Sequence, residues 1–345
     1  MKLAVILFNL GGPDGPEAVE PFLRNLFRDP AIISLPAIAR LPLARFIARR
    51  RAPIARNIYE YMGGGSPIVA ETRAQADALE KLLYTDGVEA KAFIAMRYWH
   101  PFSDGAAQAV KRFNPDKIVL LPLYPQFSTT TTASSVADWN RAARKAGLSA
   151  PMARVCCYPW DDGFVRAAAE KIRAVMADAP SDISYRLLLS AHGLPKRVIT
   201  RGDPYQWQVE QSAAAIVKSL ARPDIEPVVC YQSKVGRLEW IGPATDAEIL
   251  RAGRDGKGVI VAPLAFVSEH SETLVELDIE YRHLAAEAGV PDYRRSPTVG
   301  THPAFIEGLA GLVRQAMKDK IVACGPDGIA GRRICPPDRT CCGFS

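Results

Sequence analysis

Eight short apolar runs lie along the chain, and segments with the periodicity of amphipathic helices separate them. Apolar runs that alternate with helices are typical of parallel sheets covered by helices on both faces. The third run of each half is similar, because both pass through a Pro-Leu pair into polar residues. The pattern therefore predicts an α/β protein with two similar domains. The runs are KLAVILFNL, VEAKAFIAMRY, KIVLLPLYP, MARVCCYP, YRLLLSAHG, EPVVCYQS, GVIVAPLAF and DYRRSPTVG.

Domain boundaries follow from the order of these runs. The pattern starts again after the fourth run, so the first domain is predicted to cover residues 1–153 and the second to cover residues 154–302. Residues 303–345 form a final helix and a cysteine-rich tail. We expect the helical pattern at 303–322 to pack back on the first domain.

The composition is that of a globular protein, with 345 residues of which 48% are hydrophobic and 23% are charged. The net charge of +6 is largely local, because residues 39–56 carry six arginines and no acidic residue. A local patch of this kind does not indicate nucleic-acid binding. The first apolar run leads into GGPDGP without a cleavage site, and no segment reaches about eighteen uninterrupted apolar residues. The sequence therefore predicts a cytoplasmic protein without a transmembrane helix.

Ligands of open α/β sheets bind just after the strands, at their carboxyl ends. The usual nucleotide-binding motifs are missing there, because neither GxGxxG with a later acidic residue nor GxxxxGK[ST] occurs. Three of the five histidines do follow strands, namely His100 in RYWHP, His192 in SAHGLP and His270 in SEHSE. A single histidine is more often structural. His192 and His270, however, both end strands of the second domain and are predicted to face one cleft.

An acidic row follows in SEHSETLVELDIEY, where Glu272, Glu276 and Glu280 are spaced four apart. On a helix they share one face, where each like-charge pair costs about 0.2–0.5 kcal/mol. A solvated helix face explains such a row, since the apolar positions lie opposite. A metal site explains it as well, because His192 and Glu272 would meet over the cleft and hold a divalent cation or take protons.

Seven groups of residues, in order along nearly the whole chain, resemble motifs of the ferrochelatases. They are NLGGPDG, GGGSPI, RYWHP, LPLYPQFS, SAHGLP followed by RGDPY, YQSKVGRLEWIGP and SEHSETLVELDIEY. The resemblance implies two similar Rossmann-like domains around a porphyrin cleft. It also implies insertion of Fe(II) into protoporphyrin IX with release of two protons, the last step of haem biosynthesis, with His192 and Glu272 as the active-site residues.

Further roles are implied by the same resemblance. Glu276 and Glu280 would continue from His192 and Glu272 as a file of carboxylates that passes Fe(II) or protons. The porphyrin would be gripped in a bent form in preference to the flat one. Seven residues match family positions that line the porphyrin cavity or hold its propionates: Leu10, Ser66, Arg97, Tyr98, Tyr205, Trp240 and Phe266. The aromatic residues of this set could equally belong to the protein core.

Residues 34–56 mix apolar residues with arginines in SLPAIARLPLARFIARRRAPIAR. They predict either a lip at the cleft mouth that docks on anionic lipid, or an amphipathic helix packed on its own domain. The family has a lip in the same place, so we expect peripheral contact with the inner membrane from the cytoplasm. A homodimer is left open, and no nucleic-acid partner is expected.

Four of the seven cysteines lie in the last 22 residues: Cys324, Cys335, Cys341 and Cys342. In a cytosolic protein such clustering favours a metal over disulfides. Many ferrochelatases hold a [2Fe-2S] cluster with three tail cysteines and a fourth in the loop after the third strand, where this chain has Thr129. We predict that the extra tail thiol replaces it, because four thiolates suit a structural [2Fe-2S] cluster.

Two alternatives remain open for the tail. Zinc would satisfy the same four thiolates. The adjacency of Cys341 and Cys342 strains either geometry, so one of them would yield to Cys156 or Cys157. Those two and Cys230 lie in strand-like apolar segments and are otherwise expected to be structural.

Other functions of the same fold also remain open. The closest are a coproporphyrin ferrochelatase and a cobalt or sirohaem chelatase. A binding protein with two α/β domains is a more distant alternative, and the metal and proton residues in the cleft argue against it.

Overall fold

The computed structural model describes residues 1–84, 88–236 and 238–344, and it contains two sheets. Strands and helices alternate as the apolar runs predict. The first half consists of β1 (Lys2–Asn9), a 3₁₀ turn (Pro16–Ala18), α1 (Val19–Arg28), α2 (Ala37–Glu60), α3 (Ile68–Tyr84), β2 (Glu89–Met96), α4 (Ser103–Phe113), β3 (Lys117–Pro122), α5 (Thr132–Ala146) and β4 (Met152–Cys157). The second half consists of α6 (Asp162–Ala177), β5 (Tyr185–His192), α7 (Lys196–Thr200), α8 (Tyr205–Leu220), β6 (Glu226–Gln232), α9 (Thr245–Arg254), β7 (Gly258–Pro263), a π-helix (Glu272–Glu280), α10 (Tyr281–Glu287), β8 (Tyr293–Arg295), α11 (Pro303–Ala316), β9 (Ile321–Gly325) and β10 (Gly328–Ala330).

Four strands of the first sheet have the same order as the four strands of the second sheet. The first has the order β10-β9-β4-β3-β1-β2, and the second has the order β6-β5-β7-β8. In each half the first strand lies between the second and the third, the fourth follows the third, and all these pairs are parallel. The predicted α/β fold with two similar parallel sheets flanked by helices is confirmed.

Strand β4 determines where the chain leaves the first sheet. Its residues 152–154 pair with residues 118–120 of β3, and the strand continues to Cys157. The division predicted at residue 153 therefore falls inside a strand of the first sheet. The link to the second sheet begins only after Cys157.

The C-terminal segment returns to the first domain, where the final helix was expected to pack. Helix α11 packs against α6 and α3, and β9 extends the first sheet as the parallel neighbour of β4. Helices α6 and α11 cross closely at Gly163, where a Cβ atom would lie 2.1 Å from the Ala304 carbonyl oxygen. Only glycine fits this crossing.

A β-bulge interrupts β4 beside the tail. The pairing of β4 with β9 shifts by one residue between Val155 and Cys157, so Cys156 is the extra residue. Successive side chains of a regular strand point to opposite faces, and a bulge breaks this alternation. As a result, Cys156 and Cys157 pack with Phe127 and Ala323 in one small cluster.

The arginine-rich segment lies in α2, which packs against α1 beside the cavity described below. Helix α2 buries a row of alanines and exposes large apolar side chains between its arginines. Among residues 1–84, 88–236 and 238–344, no helix has the length and apolar character needed to cross a bilayer. The buried alanines are Ala44, Ala48 and Ala52, and the exposed apolar residues are Ile38, Leu41, Phe46 and Ile54.

Candidate active site

A cavity of about 910 Å³ opens at the carboxyl ends of the strands. Its walls come from the segments that follow β1, β3, β5, β6 and β7, and from α1 and α2. Most of the lining surface is apolar, and the histidines and glutamates that line it lie at the end of β5 and after β7. A cavity of this size and character suits a large, mainly apolar ligand that a few polar groups orient.

His192 and Glu272 meet at the wall of this cavity. His192 is the last residue of β5, and Glu272 is the first residue of the π-helix after β7. Because β5 and β7 are parallel neighbours, these two side chains come from adjacent strand ends. Nδ1 of His192 lies 2.8 Å from Oε2 of Glu272. The hydroxyl of Tyr205 supports the pair by donating to the His192 carbonyl at 3.0 Å.

The acidic row lies on a π-helix, whereas its spacing suggested an ordinary helical face. A π-helix forms i→i+5 hydrogen bonds and is typical of functional sites. Neighbouring side chains stabilise it by binding its carbonyl groups. Nε2 of Gln232 donates to the Glu272 carbonyl at 3.2 Å, and the hydroxyl of Tyr293 donates to the Leu277 carbonyl.

The three glutamates differ in their surroundings. Ser233 connects the first two, because its hydroxyl lies 3.2 Å from Oε2 of Glu272 and also donates to Glu276. Glu276 further accepts the Ser233 amide at 2.8 Å and the Tyr281 hydroxyl at 3.1 Å. Glu280 lines the cavity and is exposed to solvent. The row therefore runs from a partly buried pair to open water.

The charges of the pair follow from this geometry. Burial alone would lower the pKa of His192, but the neighbouring Glu272 carboxylate outweighs burial and raises this pKa above its usual value. Burial likewise acts to raise the pKa of Glu272, but His192 lowers it. For Glu276, burial and then the Glu272 charge raise the pKa. Each member of the pair therefore favours the charged form of the other.

His270 also faces the cavity, although the sequence suggested no specific role for it. Its Nδ1 lies 3.1 Å from the Ser268 carbonyl oxygen, which fixes Nδ1 as the donor. Burial lowers the pKa of this histidine, so the ring is neutral. Nε2 is buried without a hydrogen-bond partner among the described residues, and it is therefore a free base. His100, in contrast, is exposed and stacks with Trp99 and Phe102 away from the cavity.

Six of the seven residues predicted to bind the substrate line the cavity. Trp240 stands edge-on to His192, with 6.5 Å between the ring centroids. Phe266 packs on the His270 ring at 4.5 Å. The six residues are Leu10, Ser66, Tyr98, Tyr205, Trp240 and Phe266.

Arg97 is the exception, because an internal ion pair occupies its guanidinium group. Nη2 lies 2.8 Å from Oδ2 of Asp29, and Nε donates to the Ser134 hydroxyl at 2.7 Å. The Tyr98 hydroxyl donates to the same carboxylate at 2.9 Å. Asp29 precedes residues 30–34, which line the cavity, so Arg97 supports the wall and does not itself line it.

Other cations line the cavity in its place. They lie on α2, in and just after α7, and after β6. Their positions at strand ends and on the arginine-rich helix were visible in the sequence, but nothing in their spacing linked them to one another. In the described part of the chain they are Arg51, Arg197, Arg201 and Lys234.

The cysteines group differently from the prediction. Hydrogen bonds from Cys156 and Cys335 hold the pKa of Cys342 well below its usual value, so these three sulfurs are in contact. Hydrogen bonds with Cys156 and Cys335, together with burial, raise the pKa of Cys157. The tail thus brings Cys335 and Cys342 to the two cysteines of β4, and we call these four residues the thiol group.

Cys324 and Cys341 lie outside the thiol group. Cys324 follows Ala323 in β9 and faces the opposite side of the sheet, where it joins the main core. Cys341 lines the cavity, with its sulfur 3.2 Å from the Arg201 carbonyl oxygen. Thr129, at the family's cysteine position, donates its hydroxyl to Asp203 at 2.6 Å. In the described residues, no three or more His, Cys, Asp or Glu side chains are arranged to hold a metal ion.

Comparison with known families decides what kind of protein carries this site. The family model described as ferrochelatase matches residues 2–317. The chain belongs to the ferrochelatase family. It is 57% identical to "Ferrochelatase" of Caulobacter vibrioides (strain NA1000 / CB15N) over 318 residues, which covers 92% of this chain and 90% of the relative. It is 49% identical to "Ferrochelatase" of Hyphomonas neptunium over 341 residues, which covers 97% and 92%. As a member of this family it is a metal-inserting lyase.

Solved structures agree with this ferrochelatase fold. The sirohydrochlorin chelatase SirB from Bacillus subtilis subspecies spizizenii, in complex with cobalt, superposes with a TM-score of 0.53 at 15% identity. That match covers 92% of this chain and 96% of SirB. At this identity the similarity concerns the fold alone.

Proposed function

We propose that this protein inserts Fe(II) into protoporphyrin IX, giving protohaem and two protons as the last step of haem biosynthesis. One observation carries the proposal: His192 contacts Glu272 at the wall of a large, mainly apolar cavity. The cavity suits a porphyrin, because the ring of a porphyrin is apolar and its propionates are charged. The pair supplies an imidazole and a carboxylate where the metal must exchange with two N–H protons.

The contacts along the acidic row support a route for protons. The neutral form of His192 takes a proton from a pyrrole nitrogen at Nε2 and passes its Nδ1 proton to Glu272 at 2.8 Å, and Ser233 then connects Glu272 with Glu276. Glu280, exposed at the end of the row, releases it to water. The same oxygens offer Fe(II) hard ligands on its way in. His270 adds a second neutral base for the second proton.

The rest of the cavity supports binding of the macrocycle. Trp240 and Phe266 present aromatic faces beside His192 and His270, and Leu10 adds an apolar contact. The cavity cations Arg51, Arg197, Arg201 and Lys234 offer charge to the propionates. Ser66 lies on the same wall and can donate a hydrogen bond.

An anaerobic assay tests this function. Fe(II) is supplied with protoporphyrin IX, with coproporphyrin III or with sirohydrochlorin, and Co(II) replaces Fe(II) in parallel. We expect the fastest absorbance change with Fe(II) and protoporphyrin IX. Faster turnover of coproporphyrin III would show that the protein is a coproporphyrin ferrochelatase. Turnover of sirohydrochlorin alone would contradict the proposal.

The exposed face of α2 supports docking of this cytoplasmic protein on the inner membrane. Ile38 and Phe46 are 88% and 62% exposed, and arginines flank them beside the cavity. Apolar and cationic side chains on one helix favour anionic lipid surfaces. We expect sedimentation with phosphatidylglycerol vesicles that salt or a triple R49Q/R50Q/R51Q change reverses. The control R222Q alters an exposed arginine outside α2, and its binding should equal that of the wild type.

We further propose that the thiol group binds a structural [2Fe-2S] cluster. Its donor chemistry fits, because four thiols lie together beside the apolar residues Phe127, Ile334 and Phe344, and a [2Fe-2S] cluster takes four cysteine ligands. When bound, the cluster would cross-link the tail to β4. Anaerobically purified protein should contain about two irons and two acid-labile sulfides per chain. One zinc per chain without sulfide would contradict the proposal.

A further inference from the structure

Gln208 connects the thiol group with the cavity. It lies in the first turn of α8 and is fully buried. Its Nε2 lies 3.3 Å from the sulfur of Cys157 and 3.1 Å from the sulfur of Cys335. Its Oε1 accepts the backbone N–H of Phe127 at 2.7 Å. All its polar atoms are therefore engaged.

The two sulfur contacts come from separate parts of the chain. Cys157 belongs to β4, and Cys335 belongs to the tail. A side-chain amide has two N–H donors, so one group serves both sulfurs. A single side chain therefore contacts one sulfur of β4 and one sulfur of the tail.

The third contact leads to the cavity. Phe127 lies in the loop after β3, and its neighbours Gln126 and Ser128 line the cavity. Gln126 is also held by α8, because its Nε2 donates to the Ser212 hydroxyl at 2.9 Å. Helix α8 therefore holds this part of the cavity wall, and the same helix carries Gln208, which donates to the thiol group.

We infer that Gln208 is a positioning residue with two separable roles: its amide donates to two of the sulfurs that would hold the proposed cluster, and its carbonyl oxygen fixes the cavity loop. The inference rests on the proposed cluster. Donors to the sulfurs stabilise the reduced cluster, which carries one more negative charge, and so raise its reduction potential.

Two variants separate these roles. Q208E keeps an oxygen acceptor for Phe127 and loses both N–H donors. Q208L loses the donors and the acceptor. Q206L is the matched control, because Gln206 lies in the same turn and its side chain donates to Glu210 at 3.1 Å, away from the thiol group.

The first readout is the reduction potential of the cluster, measured by anaerobic titration with dithionite and followed by visible absorbance. We expect Q208E and Q208L to disfavour the reduced form by about tenfold, which is about 59 mV for one electron. The second readout is the KM for protoporphyrin IX. We expect it to rise several-fold in Q208L and to stay near the wild-type value in Q208E and Q206L.

The outcomes are distinguishable. Wild-type protein without iron and sulfide would overturn the proposed cluster and the donor role with it. A wild-type cluster whose potential is the same in Q208E, Q208L and Q206L would overturn the donor role alone. Equal KM values in Q208L and Q208E would overturn the role of the carbonyl oxygen.

Discussion

The acidic row and the thiol group are both sets of like residues, but they are assembled in opposite ways. The glutamates come from one continuous π-helix, and their histidine partner comes from the end of the neighbouring strand. The thiols come from β4 and from a tail that returns after the whole second sheet. The first set depends on local spacing, whereas the second depends on how distant segments pair.

This difference in assembly goes with a difference in the chemistry of the two regions. In the row, neighbouring charges change one another's pKa and lead from a buried pair to water. In the thiol group, like residues share protons inside an apolar pocket and hold two segments together. Under the proposed function, the row would exchange protons and Fe(II) with solvent, and the thiol group would attach the tail to β4. Four experiments test this contrast.

The largest effect is expected for H192A. Loss of a positioned base typically costs about 10²–10⁴-fold in rate, and we expect metal insertion to fall by about a thousandfold. Porphyrin binding, measured by fluorescence quenching, should persist because Trp240 and Phe266 remain. H100A is the control, since His100 is exposed and lies outside the cavity. Near-normal turnover in H192A would remove His192 from the mechanism.

A smaller loss, about a hundredfold, is expected for E272Q. The Glu272 charge raises the pKa of His192, so its removal should lower that pKa in an NMR titration of the imidazole. The residual activity should then persist to lower pH. An unchanged titration curve would show that the contact is absent in solution.

The same pair makes a stability prediction with a definite sign. Because the folded pKa of His192 is raised, its imidazolium stabilises the fold fully below its unfolded pKa of about 6.5 and loses this effect as pH rises through the folded value. Because the folded pKa of Glu272 is lowered, its carboxylate contributes above about pH 4.5 and loses its effect as pH falls. The free energy of unfolding lost in E272Q should therefore be greatest between these limits.

A third experiment distinguishes the cysteines of the thiol group from Cys324 and Cys341. C335S should lose the cluster absorbance and lower the melting temperature by several degrees, because the tail loses its attachment to β4. C341S and C324S should keep the absorbance, since both sulfurs lie away from the thiol group. Activity should fall only a few-fold in C335S. Loss of absorbance in C324S would restore the ligand set suggested by the sequence.

The smallest effects are expected at the outer part of the row. E276Q should lower kcat/KM for Fe(II) by about tenfold or less, because Ser233 and Tyr281 still hold the side chain in place. E280Q should have a weaker effect, since water can replace an exposed carboxylate. Steady-state kinetics with varied Fe(II) measure both. Equal, large losses at the two positions would contradict a row that opens gradually to solvent.

Much of the fold, and the contact of His192 with Glu272 in the candidate site, could be predicted from the sequence for a physical reason. Apolar runs determine which strands form, and the carboxyl ends of parallel strands bring the following residues together, as at His192 and Glu272. Other features lacked such a signal. Nothing local distinguishes an arginine that lines a cavity from Arg97, which is paired with a distant Asp29. The π-helix likewise depends on carbonyl partners such as Gln232 and Tyr293 from other segments.

The bulge at Cys156 has a consequence for the order of assembly. The register of β4 against β9 determines how β4 presents its sulfurs to the tail strand. If the thiol group binds the proposed cluster, metal loading and tail docking would form a single cooperative step, because the ligand binding energy would also be folding energy. Deleting residue 156 would restore regular alternation and uncouple the two events, leaving a docked tail with one sulfur too few.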